Sequence, residues 1–339
     1  MRSLRKRRIE AAADRSAQAL GMKLLIVKLS SLGDVVQTIP VVHDMAQRFP
    51  GASIDWVVEE GFAPLLANVQ GLRRVIPVAQ RRWRKERWSA VAWREKAAFR
   101  DALRQDSYDA VIDFQGLIKS AWVARQARLA PGGFSATYGN ASDACSYEWP
   151  VRFLLQRTLP MPQRIHAVAR YRLLAALALG YSVQGDAVYS ILKPERARSH
   201  SIVFAHGTTR PDNEWPEACW IDLGKRLAER GFRIALPHSS DQELARVTRI
   251  AQALAGHADI WPRLGLSGVM DAMASTAGVI GVDSGLSHMA VALDLPHVQI
   301  FSQPRAWRAG PVGRAHQVAV GGERAPDVDA VWQAWCALA

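Results

Sequence analysis

Residues 23–44, Lys-Leu-Leu-Ile-Val-Lys-Leu-Ser-Ser-Leu-Gly-Asp-Val-Val-Gln-Thr-Ile-Pro-Val-Val-His-Asp, run from an apolar strand through a small polar turn into a helix. Residues 279–288, Val-Ile-Gly-Val-Asp-Ser-Gly-Leu-Ser-His, repeat this design about 250 residues later. Each half of the chain therefore places one polar turn at the carboxyl end of a strand, where open α/β sheets bind their ligands. This repetition predicts an enzyme of two α/β domains whose polar turns share one active site.

The composition limits the class of protein. The chain has 339 residues, of which 49% are hydrophobic, so it is too long for one ordinary core and too apolar to be disordered. Its three cysteines, Cys145, Cys219 and Cys336, are scattered without paired spacing. That pattern argues against a disulfide framework or a zinc site and favours a reducing, cytoplasmic compartment.

Apolar strands alternate with amphipathic helices along the chain. The predicted strands are 24–27, 54–58, 74–78, 110–113, 202–205, 233–236, 278–282 and 298–301. The predicted helices include 35–48, 97–105, 167–179, 220–230, 242–254 and 286–292. This alternation favours doubly wound parallel sheets with helices on both faces.

Two polar stretches, 180–185 and 193–201, are typical of an interdomain joint. We predict a disordered basic extension at 1–21, a first domain at 22–185 and a second domain at 186–325. The remaining residues, 326–339, are predicted to form a helix that packs back on the first domain.

The net charge of +12 is concentrated in two segments. Residues 1–21 hold six basic and two acidic residues, and residues 73–104 hold eleven basic and three acidic residues, which gives +4 and +8. Positive charge that is concentrated in this way predicts an anionic partner bound at one place. The first segment begins like a secretory signal, but Glu10 and Asp14 interrupt it, so export is not predicted. A disordered extension, an overcalled start and a basic anchor for anionic lipid remain as alternatives.

No apolar run approaches the roughly 18 residues that a membrane-spanning helix needs. Any contact with a membrane is therefore expected to be peripheral.

The turn at 30–34 contains two serines, Gly33 and Asp34. Gly33 lets the backbone turn without a side chain, and the hydroxyls and amides can face an anion at the helix start. Asp34 is a candidate general base, but an aspartate that caps a helix explains the same residue.

Two further polar turns follow strands in the second half of the chain. Asp283, Ser284 and Gly285 open a helix whose amides can bind phosphate, with His288 one turn later. The segment 206–216 places Thr208 and Thr209 after a glycine, which suits hydrogen bonding to phosphate or sugar. Helix caps, a structural histidine and a plain loop are the corresponding alternatives.

Six segments together resemble a known family. These segments are 23–38, 57–62, 75–85, 109–120, 208–210 and 282–288. In this order they resemble the heptosyltransferase I branch of glycosyltransferase family 9, and the likeness runs from Met22 to about Leu295. The strings Trp-Val-Val-Glu-Glu-Gly-Phe and Arg-Arg-Trp-Arg-Lys are typical of this branch.

The resemblance implies a GT-B fold, with two Rossmann-like domains that face a central cleft. The first domain would bind the acceptor and the second the donor. The implied reaction moves heptose from ADP-L-glycero-β-D-manno-heptose to the first Kdo of Kdo2-lipid A, with inversion and without a required metal or cofactor. The implied place is the cytoplasmic face of the inner membrane of a Gram-negative cell, on an anionic lipid surface.

The resemblance also implies roles for individual residues. Asp34 would be the general base, while Asp283 would meet the heptose, Glu243 the ribose and Leu264 the adenine. The residues implied to hold the donor phosphates are Thr208, Thr209, Ser284, Gly285 and His288, with Asn213 where relatives usually carry a phosphate-binding lysine. The residues implied to bind the acceptor are Ser31, Gly33, Arg81, Arg82, Arg84, Lys85 and Gln115.

Elementary chemistry is consistent with these roles. An aspartate with the ordinary pKa of about 3.9 is a weak base toward a sugar hydroxyl, so Asp34 would act late, after the bond to ADP has lengthened. The departing diphosphate gathers negative charge, which helix-end amides and hydroxyls can stabilise.

The basic segment around residues 81–88 has several interpretations. Its arginines and lysine alternate with Trp83 and Trp88, which suits the carboxylates, phosphates and sugars of a Kdo-lipid acceptor or the edge of a bilayer. A solvated helix face and a nucleic-acid groove are the alternatives, the latter because the pI is about 10.1. No nucleic-acid motif is recognised, so nucleic acid is not expected as a partner.

The chain departs from the family pattern in three places. Asn213 replaces the lysine, no Arg-Glu-Pro triplet is found near 146–150, and residues 302–305 after Phe301 are unmatched. These differences concern donor affinity and acceptor identity rather than the fold. Two hypotheses follow: an active heptosyltransferase, favoured by Asp34, Asp283 and His288, or a non-catalytic member that binds anionic lipid, nucleotide or nucleic acid.

Overall fold

A computed structural model describes residues 21–86, 88–143, 146–192 and 198–338. Apart from Gly21, the predicted N-terminal extension lies outside these residues, as do Arg87 and Cys145. The chain forms two compact units. Of the described residues, the first unit comprises those up to Ser30 together with Thr38–Ser190, and the second comprises Ser31–Gln37 together with those from Ile191 onward.

The sheet of the first unit is built from β1 (Lys23–Val27), β2 (Ser53–Glu59), β3 (Leu72–Val78), β4 (Ser107–Asp113), β5 (Arg128–Tyr138) and β6 (Arg157–Leu159). Within the described residues these strands are parallel and lie in the order β3-β2-β1-β4-β5-β6. The central strand β1 is apolar throughout its last four residues, all of which are fully buried. Because neighbouring side chains of a strand point to opposite faces, this continuous apolar run indicates a sheet covered on both sides.

The sheet of the second unit is built from β7 (Ser201–Ala205), β8 (Arg233–Leu236), β9 (Ala258–Ile260), β10 (Gly278–Val282), β11 (His297–Phe301) and β12 (Gln317–Gly321). These strands are also parallel, and their order is β12-β11-β10-β7-β8-β9. Both sheets thus have the strand order of a doubly wound, Rossmann-like domain. The predicted fold class is confirmed.

Most strands of the described residues are followed by one or two α-helices. These helices are α1 (Leu32–Thr38), α2 (Pro40–Arg48), α3 (Ala63–Leu66), α4 (Gln80–Lys85), α5 (Ala90–Arg104), α6 (Ile118–Gln126), α7 (Ala167–Leu179), α8 (Glu217–Glu229), α9 (Asp241–Ala253), α10 (Leu266–Ala274), α11 (Gly285–Ala292), α12 (Ala306–Ala309) and α13 (Val328–Cys336).

Two helix predictions need correction at their boundaries. The predicted helix at 35–48 is two helices, α1 and α2, which are separated at Ile39. Pro40 starts the second helix because proline has no N–H to donate to the preceding turn. The helix predicted at 97–105 is the longer α5, which begins after Ser89, whose side chain accepts a hydrogen bond from the Val91 amide at 3.2 Å.

The C-terminal helix α13 packs in the second unit. Its buried Val331 and Trp335 belong to the hydrophobic core that also contains Ile280, Val298 and Ile300 of β10 and β11. The apolar face of the predicted C-terminal helix is therefore buried against the second sheet.

Candidate active site

The carboxyl edge of the second sheet brings the predicted polar turns together. Strands β7 and β10 are neighbours, and the strand order reverses between them because β8 and β9 lie on one side and β11 and β12 on the other. Doubly wound sheets bind ligands at this point. The predicted turns at 206–216 and 283–288 follow β7 and β10 directly.

Asp283 connects these two turns. Its backbone oxygen accepts hydrogen bonds from Thr208 Oγ1 and Asn213 Nδ2, each at 3.4 Å. Its carboxylate accepts hydrogen bonds from Asn213 Nδ2 at 3.3 Å and from Gln299 Nε2 at 3.4 Å. The Nε2 atom of His288 lies 3.4 Å from the same carboxylate.

Two opposed effects act on the pKa of Asp283. Burial disfavours the charged form and raises the pKa, but the hydrogen bond with His288 and the charges of Arg308 and Arg305 lower it by more. The net pKa lies below the ordinary value for an aspartate, so Asp283 is a carboxylate at neutral pH. A carboxylate here can accept a hydrogen bond from a hydroxyl of a bound sugar.

The start of α11 offers backbone amides at this edge. Ser284 is the N-cap, and its side chain accepts a hydrogen bond from the Ser287 amide at 3.5 Å. Gly285 is the first residue of the helix, and Ser287 Oγ donates to the Val282 backbone oxygen at 2.6 Å. The first amides of a helix lack acceptors within the helix and carry a partial positive charge, so this end is suited to phosphate.

His288 joins α11 to α1 within the second unit. Its Nδ1 lies 3.4 Å from Gln37 Nε2, and its side chain is 10% exposed. A Cβ atom at Gly33 would lie 2.5 Å from His288 Cδ2. Gly33 is therefore required by close packing against the histidine, a reason that the sequence did not reveal.

Asp34 lies in the first turn of α1 and contacts Ser31. The Asp34 carboxylate accepts hydrogen bonds from the Ser31 amide at 3.1 Å and from the Ser31 hydroxyl at 2.8 Å. The alternative anticipated for Asp34 was an N-cap, but here Asp34 lies three residues inside the cap and bonds back to it. The same two contacts orient its carboxylate.

Glu243 lies close to the turn that follows β7. Its carboxylate accepts hydrogen bonds from the Ser239 amide at 2.6 Å and the Ser239 hydroxyl at 2.8 Å. A Cβ atom at Gly207 would lie 2.5 Å from Glu243 Oε1, so only glycine lets this carboxylate approach the turn. Thr209 is an exposed residue of that turn. Leu264 precedes α10, is half-buried and packs next to Gly268.

A cavity of about 940 Å³ opens in the first unit beside the basic segment. Its walls include the apolar side chains of Val78, Trp83, Phe99 and Trp122. The cationic residues in its lining are Arg81, Arg84, Lys96, Arg100 and Lys119. Glu59 and Glu148 also line it. The Glu59 carboxylate accepts a hydrogen bond from the Arg81 amide at 2.9 Å, and the Glu148 carboxylate accepts one from the Ile118 amide at 2.6 Å. The excess of positive charge indicates an anionic ligand with an apolar or sugar portion.

The structure separates the predicted basic residues. Arg81 and Arg84 line the cavity, and Lys85 is exposed outside its lining. Arg82 also lies outside it, because its guanidinium pairs with Glu60 at 3.0 Å and Glu95 at 2.8 Å. The hydrogen bond with Glu60 raises the pKa of Arg82 most, and the hydrogen bond with Glu95 raises it further. We therefore assign Arg82 to the stability of α4 rather than to ligand binding.

Gln115 lies at the corresponding switch point of the first sheet, between β1 and β4. Its side-chain oxygen accepts hydrogen bonds from the amides of Leu29 and Ser30, both at 3.2 Å. Nearby, complete burial raises the pKa of Asp113 to about 6, against the opposing effect of its hydrogen bond from the Gln115 amide. Gln115 thus holds together the two strand ends beside the cavity.

Several residues at these sites were missed by sequence reasoning. Gln37 and Gln299 contact His288 and Asp283, and nothing in their local sequence indicates these contacts. Lys96 and Arg100 belong to the basic segment, and their spacing of four on one helix was the signal that they share a face.

Among the described residues, no group of three or more His, Cys, Asp or Glu side chains could hold a metal ion. In the same part of the chain, the helices are all too short or too polar to span a membrane.

Comparison with known proteins places these observations in context. Residues 96–333 match the model of glycosyltransferase family 9 (heptosyltransferase). Lipopolysaccharide heptosyltransferase 1 of Pseudomonas aeruginosa is 40% identical over 309 residues, which cover 89% of this chain and 84% of the relative. The protein of the same name from Escherichia coli K12 is 41% identical over 307 residues, which cover 88% and 93%.

A solved structure agrees with these sequence matches. E. coli heptosyltransferase WaaC with ADP superposes with a TM-score of 0.82 at 38% identity, and the match covers 92% of this chain and 98% of that one. The structure of WaaC with ADP-2-deoxy-2-fluoro heptose gives a TM-score of 0.75 at the same identity, with 92% and 97% covered.

Proposed function

Because this chain belongs to glycosyltransferase family 9, the heptosyltransferases, we propose that it transfers L-glycero-D-manno-heptose from ADP-heptose to the first Kdo of Kdo2-lipid A. The reaction belongs to the inner-core biosynthesis of lipopolysaccharide and inverts the anomeric centre. Support comes from relatives that are named lipopolysaccharide heptosyltransferase 1 and from a related enzyme solved with an ADP-heptose analogue. ADP-heptose is consumed as a substrate and is not a resident cofactor.

The observation that carries this proposal is the arrangement around Asp283. Thr208 and Asn213 from one turn and Ser284 and His288 from the other gather at the switch point of the second sheet. Hydroxyls, amides and the positive end of α11 match a diphosphate, which gains charge as the sugar departs. The second unit is accordingly the proposed donor-binding domain, with Glu243 toward the ribose and Leu264 toward the adenine.

Asp34 is the proposed general base. The Ser31 amide and hydroxyl fix its carboxylate at 3.1 and 2.8 Å, so the group is oriented before a substrate binds. As the bond from heptose to ADP lengthens, the sugar becomes cationic and the attacking hydroxyl becomes acidic enough for an aspartate to accept its proton. Asp283 carries the second fixed negative charge, which can stabilise the cationic sugar or hold one of its hydroxyls.

The first unit is the proposed acceptor-binding domain. Arg81 and Arg84 place cationic side chains in the cavity, where the carboxylates and phosphates of a Kdo-lipid can accept their hydrogen bonds. The Trp122 side chain, which is 57% exposed at the cavity, offers an apolar face to a sugar ring.

We also propose that the protein associates with the cytoplasmic surface of the inner membrane. Trp88, which precedes α5, and Trp93, in its first turn, are 81% and 58% exposed, in the same segment as a large excess of arginine and lysine. Exposed indoles with adjacent cations suit an anionic interface. Sedimentation with phosphatidylglycerol vesicles, compared with phosphatidylcholine vesicles, tests this point. The proposal predicts that the protein sediments with the anionic vesicles, and a protein that stays in the supernatant with both kinds of vesicle would refute it.

The activity is tested by incubating the protein with ADP-heptose and deacylated Kdo2-lipid A, with and without a chelator. We expect release of ADP together with a heptosylated product in the mass spectrum. If ADP binds but no product forms with an acceptor that a related enzyme uses, the proposed activity is wrong and the chain is a non-catalytic member of its family.

A further inference from the structure

The loop after β11 lies at the same edge of the second sheet as the donor site. Strand β11 is the parallel neighbour of β10, so both strands end at the same edge. Ser302, the first residue of the loop, donates a hydrogen bond from its Oγ to the Glu214 backbone oxygen at 3.3 Å. This bond ties the loop to the turn that carries Thr208 and Asn213.

Arg305 in this loop approaches that turn with a cationic side chain. Its Nη2 atom lies 3.6 Å from Asp212 Oδ2, and 25% of its side chain is exposed. Asp212 is already paired with Arg210, which donates two hydrogen bonds to it at 3.2 and 3.0 Å. Arg210 therefore neutralises Asp212, whereas the contact of Arg305 with the same carboxylate is longer, at 3.6 Å.

Arg308 follows three residues later on the short helix α12. Positions i and i+3 lie on the same side of a helical turn, so Arg308 shares a face with Arg305. The Nε atom of Arg308 is buried, and within the described residues it has no hydrogen-bond partner. A buried N–H group without an acceptor is unfavourable, and a bound anion would satisfy it.

The charges near Asp283 support this placement. The positive charges of Arg308 and Arg305 both act on the Asp283 carboxylate and help to lower its pKa. Asn213, which contacts Asp283 at 3.3 Å, is neutral. The turn after β7 and the turn after β10 thus supply hydroxyls, amides and a neutral carboxamide, and the charge of Arg210 in the first of them is paired with Asp212. The loop after β11 adds two further guanidinium groups whose charges act on Asp283.

We propose that Arg305 and Arg308 bind the diphosphate of the nucleotide donor and stabilise the negative charge that develops on it during transfer. This inference rests on the proposed donor site. The guanidinium groups donate hydrogen bonds to phosphate oxygens, and such charge-assisted bonds are stronger than those from neutral donors. The loop after β11 is therefore part of the donor site, although its sequence does not follow the family pattern.

Calorimetry with adenosine, AMP and ADP tests the assignment. Arg305→Ala and Arg308→Ala should each weaken ADP binding by about 10- to 100-fold, AMP binding by less, and adenosine binding by less than about twofold. Arg314→Ala is the matched control, because Arg314 is an exposed arginine paired with Asp294 at the opposite end of α11. It should leave all three affinities unchanged.

The lysine variants separate charge from folding. Arg305→Lys and Arg308→Lys should keep at least part of the ADP affinity, and thermal melting should show that all variants remain folded. Unchanged ADP affinity in folded Arg305→Ala and Arg308→Ala would overturn the inference, as would an equal loss for adenosine and ADP.

The transfer assay distinguishes this inference from the proposed function. An active wild type whose ADP affinity does not depend on Arg305 or Arg308 retains the function and rejects the inference. An inactive wild type whose ADP affinity depends on both arginines rejects the function and retains the inference.

Discussion

Asp34 has a structural contact at the same position as the chemical role that we propose for it. Its carboxylate accepts two hydrogen bonds from Ser31 at the start of α1, which stabilises the helix end. The same bonds orient the carboxylate, as a general base requires. Substitutions that keep the acceptor but remove the basicity can separate the two roles.

Asp34→Asn retains a side-chain oxygen that can accept a hydrogen bond from Ser31, but it cannot accept a proton at neutral pH. We expect turnover to fall by roughly 10²- to 10⁴-fold with donor affinity nearly unchanged. Steady-state kinetics and ADP calorimetry give the two measurements. Ser31→Ala is the control, since losing the hydroxyl should cost about 1 kcal/mol of stability and much less turnover. Near-normal turnover in Asp34→Asn would show that the residue only stabilises the start of the helix.

Asn213 is a neutral group of the proposed donor site, 3% exposed and 3.3 Å from Asp283. Because a charge-assisted hydrogen bond is stronger than a neutral one, Asn213→Lys should tighten ADP binding by about 2- to 30-fold. The gain should be larger in an Arg305→Ala background, where the positive charge has been removed. Calorimetry with ADP on wild type, Asn213→Lys, Arg305→Ala and the double variant tests this. Identical ADP affinities with and without the lysine, in both wild type and Arg305→Ala, would exclude Asn213 from phosphate binding.

At the scale of elements, some basic residues of α4 and α5 form ion pairs and others line the cavity. Arg82 pairs with Glu60 and Glu95, and Trp83 Nε1 donates to Glu95 at 2.7 Å. These contacts fix α4 against α5. With Arg82 held there, Arg81 and Arg84 are left to line the cavity.

The double variant Arg81→Ala with Arg84→Ala should raise the acceptor KM by about 10- to 100-fold and change the ADP-heptose KM by less than about twofold. The reason is that these two guanidinium groups line the cavity of the first unit, whereas the proposed donor residues lie in the second. The wild-type acceptor KM should also rise with salt, because exposed charges are screened.

Arg94→Ala is the matched control for this experiment, since Arg94 is an exposed arginine of α5 outside the cavity lining. Equal effects of the double variant on the two substrates would contradict an acceptor role for Arg81 and Arg84.

At the scale of the whole molecule, each unit has its own hydrophobic core and its own buried titratable groups. Asp113 in the first unit and His297 in the second are both fully buried. Burial raises the pKa of Asp113 to about 6 and lowers that of His297 to about 4. Between its ordinary pKa and about 6, Asp113 binds a proton more readily in the folded protein, so a fall in pH stabilises the fold through this residue. Between about 4 and its ordinary pKa, His297 binds a proton more readily in the unfolded chain, so a fall in pH destabilises the fold.

His297 should make unfolding easier as the pH falls from 6.5 to about 4. In this window the unfolded chain binds a proton at His297 and the folded protein does not, so the free energy of unfolding decreases by up to about 3 kcal/mol. Urea unfolding at several pH values, compared between wild type and His297→Phe, isolates this contribution from that of Asp113. Parallel stability curves for the two proteins would show that His297 does not titrate as its burial requires.

Much of the fold could be predicted from local sequence, and the failures have local causes. The apolar runs of β1, β4, β7 and β10 are unmistakable because both faces of these central strands are buried. Strand β5 was missed because it contains Pro131, Gly132 and Gly133, and its pairing with β4 shifts register near Tyr108. The three-residue strands β6 and β9 are too short for a hydrophobic period to appear.

The sequence by itself determined the doubly wound fold class, the two polar turns that follow β7 and β10, and the family, because each depends on the order of residues within a short segment. Only the tertiary structure decided that Arg82 pairs with carboxylates while Arg84 lines a cavity, and that Arg305 and Arg308 belong to the loop beside Asp283. Such contacts join residues far apart in the chain, and the parallel order of the strands brings them to one edge. The local sequence around a charged side chain is the same whether that side chain contacts a carboxylate, a cavity or a ligand. Its partner is therefore known only from the arrangement of the strands in the sheet.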